Sequence, residues 1–86
     1  MASDGVRRKI DNTIKLVFQC NFTEVLQNTV EVVEYIEKND VFFNEENKKK
    51  WKQIMQYLMI GLENKDYLTV GDILNYELKP MLNKSL

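Results

Sequence analysis

Residues 24–38, EVLQNTVEVVEYIEK, carry the clearest periodic pattern in the chain. Apolar residues and one threonine recur there at intervals of three and four, as they do along one face of an α-helix. This face consists of Val25, Leu26, Thr29, Val30, Val33 and Ile36. The opposite face carries glutamates, amides and Lys38, so the pattern predicts an amphipathic helix and, with it, an all-α fold.

The segment upstream predicts a separate amphipathic helix. Asp4 is expected to be its N-cap, because a short carboxylate accepts hydrogen bonds from the free amides of a first turn. The apolar stripe of this helix comprises Val6, Ile10, Ile14 and Val17, widened by Phe18.

The two stripes are offset by about a third of a turn when each residue advances the helix by about 100°. We therefore predict a break between them, with Asn21 and Glu24 forming a capping box. Cys20 is expected to lie half-buried at this junction, where it would pack as a staple against Val25.

Downstream, Asn39 and Asp40 end the pattern, and the short connection that follows should tuck Phe42 and Phe43 under the bundle. Asn44 is predicted to cap a third helix. The inward stripe of that helix is Trp51, Ile54, Met55, Leu58 and Leu62.

After a turn at 64–66, a fourth helix is predicted. Its inward stripe is Tyr67, Val70, Leu74, Leu78 and Met81. Gly71 lies beside this stripe and should allow a neighbouring helix to approach closely. Pro80 should kink or stop the helix near Lys79, because its ring clashes with the preceding turn.

Four helices with short connections predict a small antiparallel four-helix bundle. The alternative is a three-helix bundle with a long, bent first helix, which the weak break near Asn21 leaves open. Residues 1–86 are expected to form a single helical domain, because a chain of this length is too short for two.

The composition argues against several classes of function. The chain contains 12 basic and 13 acidic residues, one cysteine and no histidine. It therefore lacks the usual base of a nucleophilic cysteine and the usual imidazole metal ligands. We expect no enzyme activity, no cofactor and no metal site. A single cysteine fits the cytoplasm, and the apolar runs are shorter than the about 20 residues of a membrane span.

Four apolar residues fall outside the inward stripes of the last two helices. They are Tyr57, Ile60, Ile73 and Tyr76. Aromatic residues and isoleucine at outward positions are typical of a partner surface, although they also fill the flanks of an irregular bundle. We take them as the candidate interaction face.

The one basic cluster surrounds Trp51 and consists of Lys48, Lys49, Lys50 and Lys52. Lysines beside an aromatic ring can bind phosphate and stack on a base, but Trp51 also belongs to the inward stripe. A small nucleic-acid-associated protein is therefore the alternative function, and we do not favour it. The leading hypothesis is a non-enzymatic helical module that binds another protein or associates with itself as a homodimer.

Overall fold

The computed structural model describes residues 2–42 and 44–85, which form an antiparallel bundle of four helices. The first three are α1 (Ala2–Phe18), α2 (Phe22–Asn39) and α3 (Glu45–Glu63). The fourth, α4, covers 67–85 and contains a π turn at Leu74–Leu78 between two α-helical parts, Tyr67–Ile73 and Lys79–Ser85. The predicted four-helix bundle is confirmed. The alternative with one long first helix is wrong, because α1 and α2 are separate.

Each of the first three helices is followed within two residues by a left-handed residue other than glycine, namely Cys20, Asp40 and Lys65. After α1, the amide of Asn21 donates to the carbonyl of Leu16 at 3.0 Å, and the end of α3 has the same pattern. These bonds satisfy carbonyls that a helix end leaves free. Cys20 is exposed in this turn and not half-buried, so it forms no staple with Val25.

The helix starts differ from one another. Asn44 caps α3 as predicted, its side chain accepting hydrogen bonds from the amides of Glu46 and Asn47. Asn21 is the N-cap of α2 but makes no side-chain capping bond, so the predicted capping box is absent from this part of the structure. Asp4 was predicted to cap α1, yet α1 already begins at Ala2, so this prediction is wrong.

The α1–α2 hairpin packs along a stripe narrower than the sequence pattern suggests. Its buried positions follow spacings of four, three and four, and they are Val6, Ile10, Thr13 and Val17 on α1 with Val25, Thr29, Val32 and Ile36 on α2. Leu26 and Phe18 were expected inward, but both are exposed. Lys9 and Glu31 form an ion pair across the hairpin.

The α3–α4 hairpin is held by close packing near its turn. A Cβ atom added at Gly61 would lie 2.8 Å from Cγ2 of Val70. The two hairpins join mainly where α1 packs against α4. There, a Cβ added at Gly71 would lie 3.3 Å from Cγ2 of Val17, which agrees with the predicted close approach at Gly71.

The π turn explains two errors about α4. The amide of Lys79 donates to the carbonyl of Leu74, five residues earlier, so the turn holds one extra residue. Two regular turns take about seven residues, and the extra residue puts Leu82 inward in place of Met81, which is half-buried. Of the two outcomes predicted at Pro80, the stop near Lys79 is wrong, because the helix continues through Pro80 to Ser85. The wide π turn directly before Pro80 gives its ring more room.

Trp51 is buried near the end of the bundle where α2 ends and α3 begins. Its Nε1 donates to Oε1 of Glu37 at 2.8 Å, and its ring lies 5.9 Å from the ring of Phe42. Phe42 is buried as predicted, whereas Phe43 lies outside the described residues.

Candidate functional site

A groove of about 510 Å³ runs along the surface between α3 and α4. Its apolar floor consists of the buried Ile54 and the half-buried Ile73 and Met81, and the exposed Pro80 also lines the groove. Ile54 belongs to the buried stripe of α3, while Ile73 and Met81 are half-buried flanks of α4. The groove is therefore continuous with the core at its base and open to solvent above.

Two tyrosines line opposite walls of this groove. Tyr57 projects from α3 with 60% of its surface exposed, and Tyr76 projects from α4 with 70% exposed. A tyrosine offers an apolar ring and a hydroxyl that hydrogen-bonds, which suits a surface that is wet when free and covered when bound. The two rings thus supply large apolar area that the fold of this chain does not use.

The charged groups of the groove also lie on opposite walls. Lys50 stands on the α3 side, and Glu77 stands on the α4 side. Both are exposed, and neither has an ion-pair partner among residues 2–42 and 44–85. Asn47 and Gln53 complete the polar lining. The charges of this lining sum to zero.

The structure brings together most of the predicted interaction face. Tyr57, Ile73 and Tyr76 line the one groove. Ile60 is 52% exposed and lies one turn from Tyr57 on α3, but it is not part of the groove lining. The candidate site is therefore narrower than the predicted face and includes Lys50 and Glu77, which sequence reasoning did not connect with it.

The predicted basic surface is divided. Lys48 and Lys52 border a separate gap between α2 and α3, together with Glu37 and Asp40. Lys50 belongs to the α3–α4 groove, and Lys49 is exposed outside both. Four lysines within five residues point in different directions around a helix. Trp51 is buried between α2 and α3, so its ring is not available for a base to stack on.

A second, smaller groove of about 200 Å³ separates α1 from α4 and was not predicted. Phe18 and Leu68 border it, with exposed fractions of 79% and 66%. Tyr76 lines this groove as well, so it forms the ridge between the two. The sequence held one signal for this surface, since Phe18 follows Val17 directly and adjacent residues point about 100° apart around a helix.

In the described part of the chain, no three histidine, cysteine, aspartate or glutamate side chains come close enough to hold a metal ion. None of the described helices has the length and apolar character needed to cross a membrane.

The chain belongs to the family described as a domain of unknown function, DUF8042, whose model matches residues 8–85. The match covers α1 from Arg8 onward and the whole of α2, α3 and α4, including the α3–α4 groove. Comparison with curated proteins and comparison with solved structures gave no match.

Proposed function

We propose that this chain is a non-enzymatic protein-interaction module that binds a protein surface in the groove between α3 and α4. The observation that carries the proposal is the presence of Tyr57, Ile73 and Tyr76 around one groove with an apolar floor. The sequence predicts that these three residues point outward, because they fall outside the inward stripes. In the structure all three line the same groove.

The chemistry of the groove suits a helix of a partner. Helices bind in grooves by inserting apolar side chains at spacings of three and four while their polar face stays in water. Here the apolar floor would receive those side chains, and the tyrosines would cover them from both walls. Aromatic residues that pack around an apolar centre are enriched among those that carry binding energy in protein interfaces.

The lining does not resemble a catalytic site. It contains no serine, cysteine or histidine, and its lysine and glutamate stand exposed on opposite walls. General acid–base catalysis depends on groups held in desolvated settings that match their pKa values to the reaction.

We also propose a cytoplasmic location, where an exposed free thiol such as that of Cys20 stays reduced.

The experiment is quantitative recovery of bound proteins from the source cell with the wild-type chain and the double variant Tyr57→Glu/Tyr76→Glu as baits. Both side chains are exposed, so the variant should fold. Leu68→Glu is the matched control, because Leu68 is an exposed apolar residue of α4 outside the groove. Circular dichroism and thermal unfolding verify that all three baits are folded.

We expect proteins recovered by the wild-type chain to be recovered by Leu68→Glu and lost with the double variant. Binding free energy concentrates in a few aromatic residues, so the double change should weaken binding by about 100-fold or more. Equal recovery by the wild type and the double variant would show that the groove is not the binding site.

A further inference from the structure

We infer that the groove takes a partner helix of about three turns in which a basic residue lies between an apolar anchor and an acidic residue, at spacings of about one turn. This inference rests on the proposed function and states the chemistry of the partner. The order of apolar and charged side chains along the groove carries it.

The contact between Gly61 and Val70 sets the level of each side chain along the groove. A Cβ added at Gly61 would touch Val70, so these two residues lie side by side across the antiparallel pair. Glu77 lies seven residues beyond this contact on α4, and Ile54 lies seven residues before it on α3. The two are therefore at about the same level, and the π turn changes this count by about one residue.

The lining follows a definite order, starting from the turn between α3 and α4. Tyr57, Ile73 and Tyr76 lie nearest that turn and form an apolar end. The middle of this end lies about one helical turn before Glu77. Lys50 lies about one turn, or about 6 Å, beyond the level of Glu77. The groove therefore presents an apolar end, then a negative charge, then a positive charge.

A helix that lies along this groove meets the three parts one after another. Side chains on one face of a helix recur every three to four residues, which is the spacing of the parts. An apolar side chain of the partner fits between the tyrosines, the next residue of its face meets Glu77, and the one after that meets Lys50. The lining from Asn47 to Tyr57 is about 15 Å long, so it accommodates about three turns.

The two charges of the groove make the order on the partner matter more than its net charge. Lys50 and Glu77 are exposed and have no ion-pair partner among residues 2–42 and 44–85. Because they are of opposite sign, a partner face of one sign gains at one of them and loses at the other. A partner that runs in the reverse chain direction still needs the basic residue in the middle, so both directions obey the same order.

The probe is a displayed library of peptides of about four helical turns. One position varies among leucine, methionine and phenylalanine, and the next two positions of the same face vary among lysine, glutamate and alanine. The library contains both chain directions, and its other positions are alanine and glutamine. It is selected against the wild type and against the double variant Lys50→Glu/Glu77→Lys, which has the same net charge. Both residues are exposed, so the variant should fold, and circular dichroism verifies it.

We expect the wild type to select peptides with lysine in the middle and glutamate beyond it, and the double variant to select the opposite order. Exchanging the two charges of a selected peptide should weaken its binding to the wild type by about tenfold, because two exposed ion pairs become two like-charged contacts. Selected peptides should not bind Tyr57→Glu/Tyr76→Glu, which places them in this groove.

The inference is overturned if the selected peptides show no preferred order, if both proteins select the same order, or if no selected peptide depends on the two tyrosines. A wild type that doubles its mass from 10.2 kDa through these tyrosines also overturns it, because the occupant is then a second copy. The proposed function fails separately. It fails if Tyr57→Glu/Tyr76→Glu recovers the same proteins from the source cell as the wild type, and it stands if that recovery is lost while the peptides show no order.

Discussion

Replacing Gly61 with alanine tests whether the α3–α4 hairpin depends on close packing beside its turn. The new Cβ would lie 2.8 Å from Cγ2 of Val70, closer than two carbon atoms approach without strain. Val70 is fully buried and β-branched, so rotation of its methyl group away from the new Cβ is restricted. The helices must therefore separate or the backbone must shift.

Two opposing effects set the expected change in the free energy of unfolding of Gly61→Ala. Overpacking a tight core costs about 1–3 kcal/mol, whereas alanine in a helix interior gains about 1 kcal/mol over glycine. We expect a net loss of about 1 kcal/mol in the free energy of unfolding. For a chain of this size, that loss lowers the melting temperature by about 5 °C.

The assay is urea unfolding followed by circular dichroism, with Gly71→Ala as the matched control. Gly71 is also buried, but its added Cβ would lie 3.3 Å from Val17, so its loss should be smaller by about 1 kcal/mol. In a double-mutant cycle, Val70→Ala should reduce the cost of Gly61→Ala, because it removes the clashing methyl group. A Gly61→Ala protein more stable than the wild type would refute the reasoning.

Two further predictions concern stability. Thr29 is fully buried and its Oγ1 has no hydrogen-bond partner among the described residues, so Thr29→Val should raise the free energy of unfolding by about 1 kcal/mol. The urea midpoint should rise with an unchanged slope, and a lower midpoint would mean that the hydroxyl has a partner in solution. Lys65 has φ 57°, so Lys65→Gly should stabilise the chain by about 0.5–1 kcal/mol in thermal unfolding. A lower melting temperature would show that the left-handed turn costs this chain nothing.

The four helices were predictable because amphipathic periodicity survives small errors of register. The ends of α1, α2 and α3 lie close to the predicted places, but the left-handed conformation of Cys20, Asp40 and Lys65 was not predicted, since glycine normally signals it. Phe18 was wrongly expected to point inward because it is apolar. The buried stripe of α1 instead includes the polar Thr13 and leaves Phe18 exposed. A pattern of apolar residues alone cannot show that a threonine replaces one of them.

The groove was only partly predictable. Periodicity identified Tyr57, Ile73 and Tyr76 as residues that no inward stripe uses, and the structure sets them around one groove. It did not identify Lys50 or Glu77 as their neighbours, because the pairing of walls depends on how α3 and α4 are set against each other. That setting comes from the glycine contact at Gly61 and from the π turn, neither of which periodicity reveals.

The π turn has a consequence for how this surface can diverge among relatives. Leu74–Leu78 contains Tyr76 and Glu77, so the extra residue lies within the wall of the groove itself. Losing one codon there would restore regular geometry and rotate the wall relative to the inward leucines that follow. A single in-frame deletion, without any substitution, would then give a family member the same fold and a differently shaped groove.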